Sequence, residues 1–185
     1  MGGRLPSSIS SEGIKIEIEL LVEKYHLSIK EELDISDIEY LIVIDKIRNI
    51  NGFPEEDIKA SAFTNDEESQ IERIVCFTES ISRDINRRFS EVTTSSIFKE
   101  VVQMYIMFVF IHELIHVQQF KNGMTMKEYN ESEYKINRFE KEANDKAEEY
   151  LSRFGELQRE VAKLINSDEI VNYDIFTKLV DLYNK

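Results

Sequence analysis

The feature that most constrains the fold is an apolar run over residues 101–117. Gln103 interrupts this run near its start, and His112, Glu113 and His116 interrupt it near its end. The uninterrupted part is too short for a membrane span, which needs about 20 apolar residues. A helix that is apolar on every side is otherwise buried in the core of a protein. The run therefore predicts a buried core helix and no membrane association.

Two of the three histidines, His112 and His116, lie four residues apart in this run. On a helix, at about 100° per residue, their side chains are within roughly 40° of each other and face the same way. This arrangement suits a tetrahedral Zn²⁺, and the Glu113 carboxylate can reach the open position of such a metal. The pattern H-E-x-x-H thus predicts two zinc ligands and a catalytic glutamate. The alternative is two hydrogen-bonded core histidines with a capping glutamate.

A catalytic zinc usually has three protein ligands, so such a site requires a third ligand besides His112 and His116. His26 lies in a segment rich in Lys and Glu and is predicted to be solvated, and Cys76 stands alone. The third ligand must therefore be a carboxylate, and the candidates Glu140 and Glu142 lie in residues 138–147. Helical angles place the following residues within about 60° of Glu140: Ile136, Ala143, Asn144, Ala147, Leu151 and Phe154.

This apolar stripe identifies Glu140 as the candidate ligand. A carboxylate on a buried face is costly unless it is paired or bound to a metal; pairing with a buried arginine or protonation is the alternative. Glu142 is roughly 200° away, beside Lys146, on the face predicted to be solvated. Asn144 shares the stripe with Glu140 and is predicted to hydrogen-bond the far nitrogen of a ligating histidine.

These motifs together resemble the gluzincin metallopeptidases, which carry H-E-x-x-H and a later E-x-x-x-[DN]. The form Glu140-x-Glu-Ala-Asn144 is similar to small bacterial and phage-associated branches. These include the ImmA/IrrE-like peptidases and relatives that read H-E-x-x-H-x-x-Q, where Gln119 fits the last position. The resemblance covers about residues 37–154 and implies a minimal zincin fold. It also implies that His112, His116 and Glu140 ligate zinc and that Glu113 is the general base.

The chain departs from the family pattern at two points. Many gluzincins have Asp where Asn144 stands, and some use a later His or Tyr to stabilise the oxyanion. No histidine follows His116 in this chain. Tyr129, Tyr134 and Arg138 remain open candidates for the oxyanion role.

The order of predicted elements indicates an α+β fold with strands early and helices late. A flexible segment, residues 1–11, precedes one domain, residues 12–185. Residues 11–30 have helical spacing, although their alternation also fits a strand. The other expected elements are a buried strand at 38–45, a turn at Asn51-Gly52, hairpin strands at 58–64 and 71–77, and helices at 80–89, from 93–96 to Gly123, from Thr125 to Phe154, at 156–165 and at 169–183.

Charge and cysteine content narrow the function classes. The net charge of −13 argues against binding nucleic acid through its phosphates. The single Cys76 excludes an intramolecular disulfide framework, and residues 1–11 lack the apolar segment of a secretory signal. We therefore expect a cytoplasmic protein; the oligomeric state is not predicted.

The sequence thus predicts a small zinc metallopeptidase that acts on a protein or peptide substrate. The substrate is expected to extend along the edge strand of the sheet, within residues 58–77. Two alternatives belong to other classes. One is a catalytically silent zincin-fold module for binding or assembly, and the other is a helical interaction protein in which the motif arose by chance.

Overall fold

The computed structural model describes residues 7–68, 70–131 and 137–185. These residues form an α+β fold, as predicted, with the strands in the first half of the chain. The elements in order are α1 (Ser11–Glu32), β1 (Leu41–Asp45), β2 (Arg48–Ile50), β3 (Phe53–Glu55), β4 (Ala60–Thr64), β5 (Ile71–Phe77), α2 (Thr78–Arg88), α3 (Ser95–Lys121), α4 (Met126–Glu131), α5 (Arg138–Ser152), α6 (Glu156–Asn166) and α7 (Tyr173–Tyr183).

The main sheet has three strands in the order β1-β5-β4. β1 runs parallel to β5, and β4 is antiparallel to β5, with Ala60 opposite Cys76. The predicted hairpin is therefore confirmed, and β4 is the predicted edge strand within residues 58–77. A separate two-stranded hairpin, β2 and β3, turns at Asn51 and Gly52, whose φ angles of 52° and 84° are those of a type I′ turn.

A strand forms within residues 38–45, but the prediction that this strand is buried is wrong. β1 begins at Leu41 and lies at an edge of the sheet, so its side chains alternate between exposed and half-buried. Leu41 is 66% exposed and Val43 is 37% exposed. A short apolar run does not distinguish a central strand from an edge strand, because that depends on which strands pair with it.

The helical interpretation of residues 11–30 is confirmed by α1. The side chain of Ser10 accepts a hydrogen bond from the backbone N–H of Gly13 and caps the helix. Its buried face carries Ile14, Ile18, Leu21 and Ile29. This spacing buries one stripe of a helix against the core, whereas the strand pattern would have placed Ile16 and Leu20 on the buried side, and both are exposed.

The long helix α3 forms the centre of the core, as predicted. It packs against α1, α5, α6 and β4. By length and composition alone it could cross a membrane, but 78% of its most apolar window is buried inside the protein. Gly123 follows its end with a φ of 96°, a conformation that favours glycine after a helix.

The single helix predicted from Thr125 to Phe154 is wrong. The chain forms two helices there, since α4 ends at Glu131 and α5 begins at Arg138. Thr125 and Glu128 form a reciprocal cap at the start of α4. Asn137 caps α5 by accepting a hydrogen bond from the N–H of Phe139. The periodicity of apolar residues does not distinguish a capping asparagine from one inside a helix, and so the prediction missed this helix start.

The C-terminal helices follow the prediction closely. Gly155 separates α5 from α6, and α7 begins at Tyr173 rather than at residue 169. The later start has a local cause, because the side chain of Asn172 accepts a hydrogen bond from the N–H of Ile175 and caps the helix.

Candidate metal centre

Three side chains from two helices converge at one point. α3 supplies His112 and His116 one turn apart, and the first turn of α5 supplies Glu140. The two Nε2 atoms lie 3.0 Å apart. The Nε2 atoms of His112 and His116 lie 3.3 Å and 3.2 Å, respectively, from the two carboxylate oxygens of Glu140. These three residues form the group that could hold a metal ion among the described residues.

The spacing of these atoms fits a zinc ion. Two donors at 2.0–2.1 Å from a tetrahedral Zn²⁺ are about 3.4 Å apart. The observed separations of 3.0–3.3 Å are close to that value. Two imidazoles and one carboxylate are also a donor set of catalytic zinc sites, which keep one position open.

The far nitrogen of each histidine has an amide oxygen as its partner. His112 Nδ1 lies 3.0 Å from Asn144 Oδ1, and His116 Nδ1 lies 2.8 Å from Gln119 Oε1. Because an amide oxygen only accepts hydrogen bonds, both Nδ1 atoms carry the hydrogen in the neutral rings. The lone pairs therefore lie on the Nε2 atoms, which face each other and the Glu140 carboxylate. Such a cluster of electron-pair donors is electrostatically suited to a cation.

The orientation of the Gln119 amide is determined by its other contacts. Its Nε2 donates to the backbone oxygen of Phe139 and to Oε2 of Glu142, both at 3.0 Å. Both partners are acceptors, so the NH₂ group must face them and the oxygen must face His116. Gln119 is 6% exposed, so few solvent contacts compete with these bonds.

The stripe predicted around Glu140 is largely confirmed. Ala143, Ala147 and Leu151 are buried, and Asn144 contacts His112 as expected. The side chain of Glu140 is 12% exposed. Phe154 is the error, since it lies beyond the end of α5 and is 59% exposed. Ile136 is outside the described residues.

Glu142 is solvated as predicted, but it has a second role that the helical angle could not show. Its side chain is 45% exposed and its Oε1 pairs with Lys146 at 2.7 Å. Its other oxygen holds Gln119, and so it lies two hydrogen bonds away from His116. Angles around one helix cannot predict contacts with another helix. Here the C-terminal turn of α3 packs beside this exposed face of α5, which brings Gln119 to Glu142.

The charged groups around the site favour the ionised forms of Glu140 and His116. Burial opposes ionisation of Glu140, but when the two imidazoles are protonated their hydrogen bonds and charge outweigh it and hold the pKa of the carboxyl well below its ordinary value. Burial also opposes protonation of His116, but Glu140 and Glu113 raise its pKa above the ordinary value. The carboxylates thus favour positive charge at His116, the preference that a divalent cation satisfies.

Glu113 lies beside the ligand group without belonging to it. It is only 6% exposed and contributes to the walls of two cavities that meet at the site. These cavities, of about 200 Å³ and 330 Å³, share Ala60, His112, Glu113 and Glu140 among their lining residues. Together they form a cleft that begins beside residues 57–60 and continues along β4, with His112 and Glu140 where the two cavities meet.

Of the three oxyanion candidates, Tyr129 contacts the site. Its hydroxyl donates to Oε1 of Glu140, and its ring lies edge-on to His116 at 5.9 Å between centroids. The guanidinium of Arg138 instead lies 4.6 Å from the centre of the Phe139 ring. Tyr134 is outside the described residues.

The prediction that His26 is solvated is wrong. Its Nε2 lies 2.7 Å from the hydroxyl of Tyr40, and its ring packs edge-on against Phe110. The polar composition of the surrounding segment gave no indication of this contact. The contact forms because α1 packs against α3 at that position. Cys76 is buried and free, as expected from its isolation in an apolar strand.

Comparison of the chain with protein-family models, curated proteins and solved structures finds no match. The function is therefore argued from the geometry of the site and from the sequence motifs that form it.

Proposed function

We propose that the protein is a zinc-dependent metallopeptidase of the gluzincin type. The observation that carries this proposal is the convergence of His112 Nε2, His116 Nε2 and a Glu140 carboxylate within 3.0–3.3 Å of one another. The hydrogen bonds at both Nδ1 atoms support it, since they turn the two lone pairs toward the metal position.

Each side chain then has a defined task. Zinc in this site would lower the pKa of a water molecule and polarise the carbonyl of the peptide bond. His112, His116 and Glu140 would hold the ion. Glu113 takes the proton from the attacking water and delivers it to the leaving amine. Its burial keeps competing water away from the carboxylate.

An extended peptide is the substrate that the cleft fits. Among the described strands, β4 pairs with β5 alone, so its other edge has free backbone donors and acceptors. The larger cavity lies along this strand, and the smaller one lies beside residues 57–60, which lead into the strand; the two meet at His112, Glu113 and Glu140. A peptide can add to such an edge through main-chain hydrogen bonds, with its side chains entering the cavities.

The test is zinc content combined with cleavage of a peptide library. The purified protein should bind one zinc ion per chain and cleave library peptides, and a chelator should abolish cleavage. The matched variant Glu113→Gln should retain zinc while cleavage falls by roughly 10²–10⁴-fold, the usual cost of losing a general base. Failure to bind zinc would contradict the proposal. Zinc binding without any cleavage would instead support a silent binding module.

A further inference from the structure

We propose that the cleft selects peptides with a large apolar side chain on the N-terminal side of the scissile bond. This inference rests on the proposed function and names the substrate class of the same site. It follows from the different chemistry of the two ends of the cleft and from the direction of β4.

One end of the cleft is an apolar subsite, which we define by Phe63, Ile71, Phe120, Met124 and Met126. These residues come from β4, β5, the end of α3, the following turn and the start of α4. Ile71 is 2% exposed and Met124 is 7% exposed, so the subsite is a concave surface rather than an outer patch. His116 and Glu140 line the same cavity, which makes the apolar surface continuous with the metal position.

The size and flexibility of the subsite suit a bulky side chain. Its cavity has a volume of about 330 Å³. Methionine is unbranched and polarizable, so Met124 and Met126 can adapt to side chains of different shape. Arg48 stands at the rim, but its guanidinium is paired with Glu55 at 3.1 Å and lies over the ring of Phe63. This pairing offsets the positive charge that would otherwise favour an acidic substrate residue.

The opposite end of the cleft is charged. Asp57, Lys59, Arg88 and Asp168 line that cavity. Arg88 is 1% exposed and donates to Asp84 and to the backbone oxygen of Ile165, which fixes its guanidinium in place. An apolar side chain placed there would remove water from the exposed carboxylates of Asp57 and Asp168 without replacing their hydrogen bonds, which is unfavourable.

The direction of β4 assigns the two ends to the two sides of the peptide. The strand begins at Ala60, near the charged end, and finishes at Thr64, which lines the same cavity as the apolar subsite. Antiparallel pairing is slightly more stable per residue than parallel pairing. A peptide that pairs in this way has its N-terminal part beside Thr64, so the residue before the scissile bond faces the apolar subsite.

The experiment measures the binding of hydroxamates to the zinc-loaded protein by calorimetry. The probes are the hydroxamates of N-acetyl-leucine, N-acetylglycine and N-acetylglutamate, whose chelating group replaces the scissile peptide. We expect the leucine probe to bind at least about tenfold more tightly than the glycine probe, as a filled apolar pocket typically provides. The glutamate probe should show no such gain. A reversed probe, with its isobutyl group on the C-terminal side of the chelator, should bind more weakly than the leucine probe.

Two neighbouring residues of α4 supply the variant and its control. Met126→Gln should reduce the leucine-to-glycine ratio, whereas Met126→Leu should preserve it. Lys127→Gln should leave the ratio unchanged, because the Lys127 side chain is 83% exposed and does not line the cleft. Equal binding of the leucine and glycine probes, or a preference for the glutamate or reversed probe, would overturn the subsite while leaving the metal site intact. Absence of bound zinc would overturn the proposed function and this inference together.

Discussion

The side-chain oxygen of Asn144 lies 3.0 Å from Nδ1 of His112, one helical turn after Glu140 on α5. One helix thus supplies both a carboxylate donor and the partner that orients a histidine of another helix. A similar contact orients His116, but there the partner, Gln119, belongs to the same helix as the histidine. The geometry of the site therefore depends on the packing of α5 against α3.

Removing the amide of Asn144 should weaken zinc binding. Asn144→Ala leaves His112 Nδ1 without its acceptor, and loss of such a partner typically costs 10–100-fold in metal affinity. Asn144→Asp keeps an acceptor and should restore most of the affinity. Asn166→Ala is the matched control, since Asn166 lines the same cavity but donates to Glu148. Competition with a fluorescent zinc chelator measures all three; equal affinities would show that the contact has no role.

Glu140→Ala and Glu142→Ala should differ sharply although each removes one carboxylate. Glu140→Ala deletes a proposed ligand and should abolish tight zinc binding. Glu142→Ala should weaken binding by about tenfold or less, because Gln119 keeps its bond to the backbone oxygen of Phe139. Glu149→Ala, also on α5 with a side chain 72% exposed, should have no effect. A larger loss from Glu142→Ala than from Glu140→Ala would contradict the assigned ligand.

Zinc should stabilise the folded protein by mass action. An ion that binds only the native state contributes about 2.7 kcal/mol when its free concentration is 100 times Kd. For a chain of this length that corresponds to a rise of roughly 5–10 °C in Tm. Calorimetric or fluorescence melting with added zinc and with chelator checks this. His116→Ala should lose the zinc-dependent shift, whereas an unchanged wild-type melting curve would argue against a metal site.

The pKa of His26 should lie below its ordinary value of 6.5. Burial is the larger cause, and the positive charge of nearby Lys30 adds to it. As pH falls through the ordinary value, the unfolded chain takes up this proton before the folded protein does, so the folded state loses stability. An NMR titration of the His26 ring measures the pKa directly, and Lys30→Gln should raise it only in part.

The same group predicts a difference in melting behaviour. His26→Gln should make Tm fall less steeply than in the wild type as the solution is acidified. The comparison of the two proteins cancels the contribution of the other titrating groups. A steeper fall in the variant would show that protonated His26 stabilises the fold, contrary to the direction expected from its burial.

The sequence alone determined those features that depend on spacing along one element. The four-residue spacing of His112 and His116 places them on one face of any helix, and the alanines around Glu140 mark a stripe that must be buried. The core helix, the hairpin of β4 and β5, and the position of Asn144 on the same stripe as Glu140 all followed from such patterns. The periodicity of apolar residues did not predict the break before α5, because there the side chain of Asn137 takes the place of a backbone acceptor and caps the helix.

Only the tertiary structure decided which elements meet. It made β1 an exposed edge, brought His26 against Tyr40 and placed Gln119 between His116 and Glu142. It also set the apolar and charged ends of the cleft, whose walls combine residues distant in sequence. Periodicity reports the face that one element buries, but the partner of that face is chosen by packing among all elements, through contacts that local spacing does not encode.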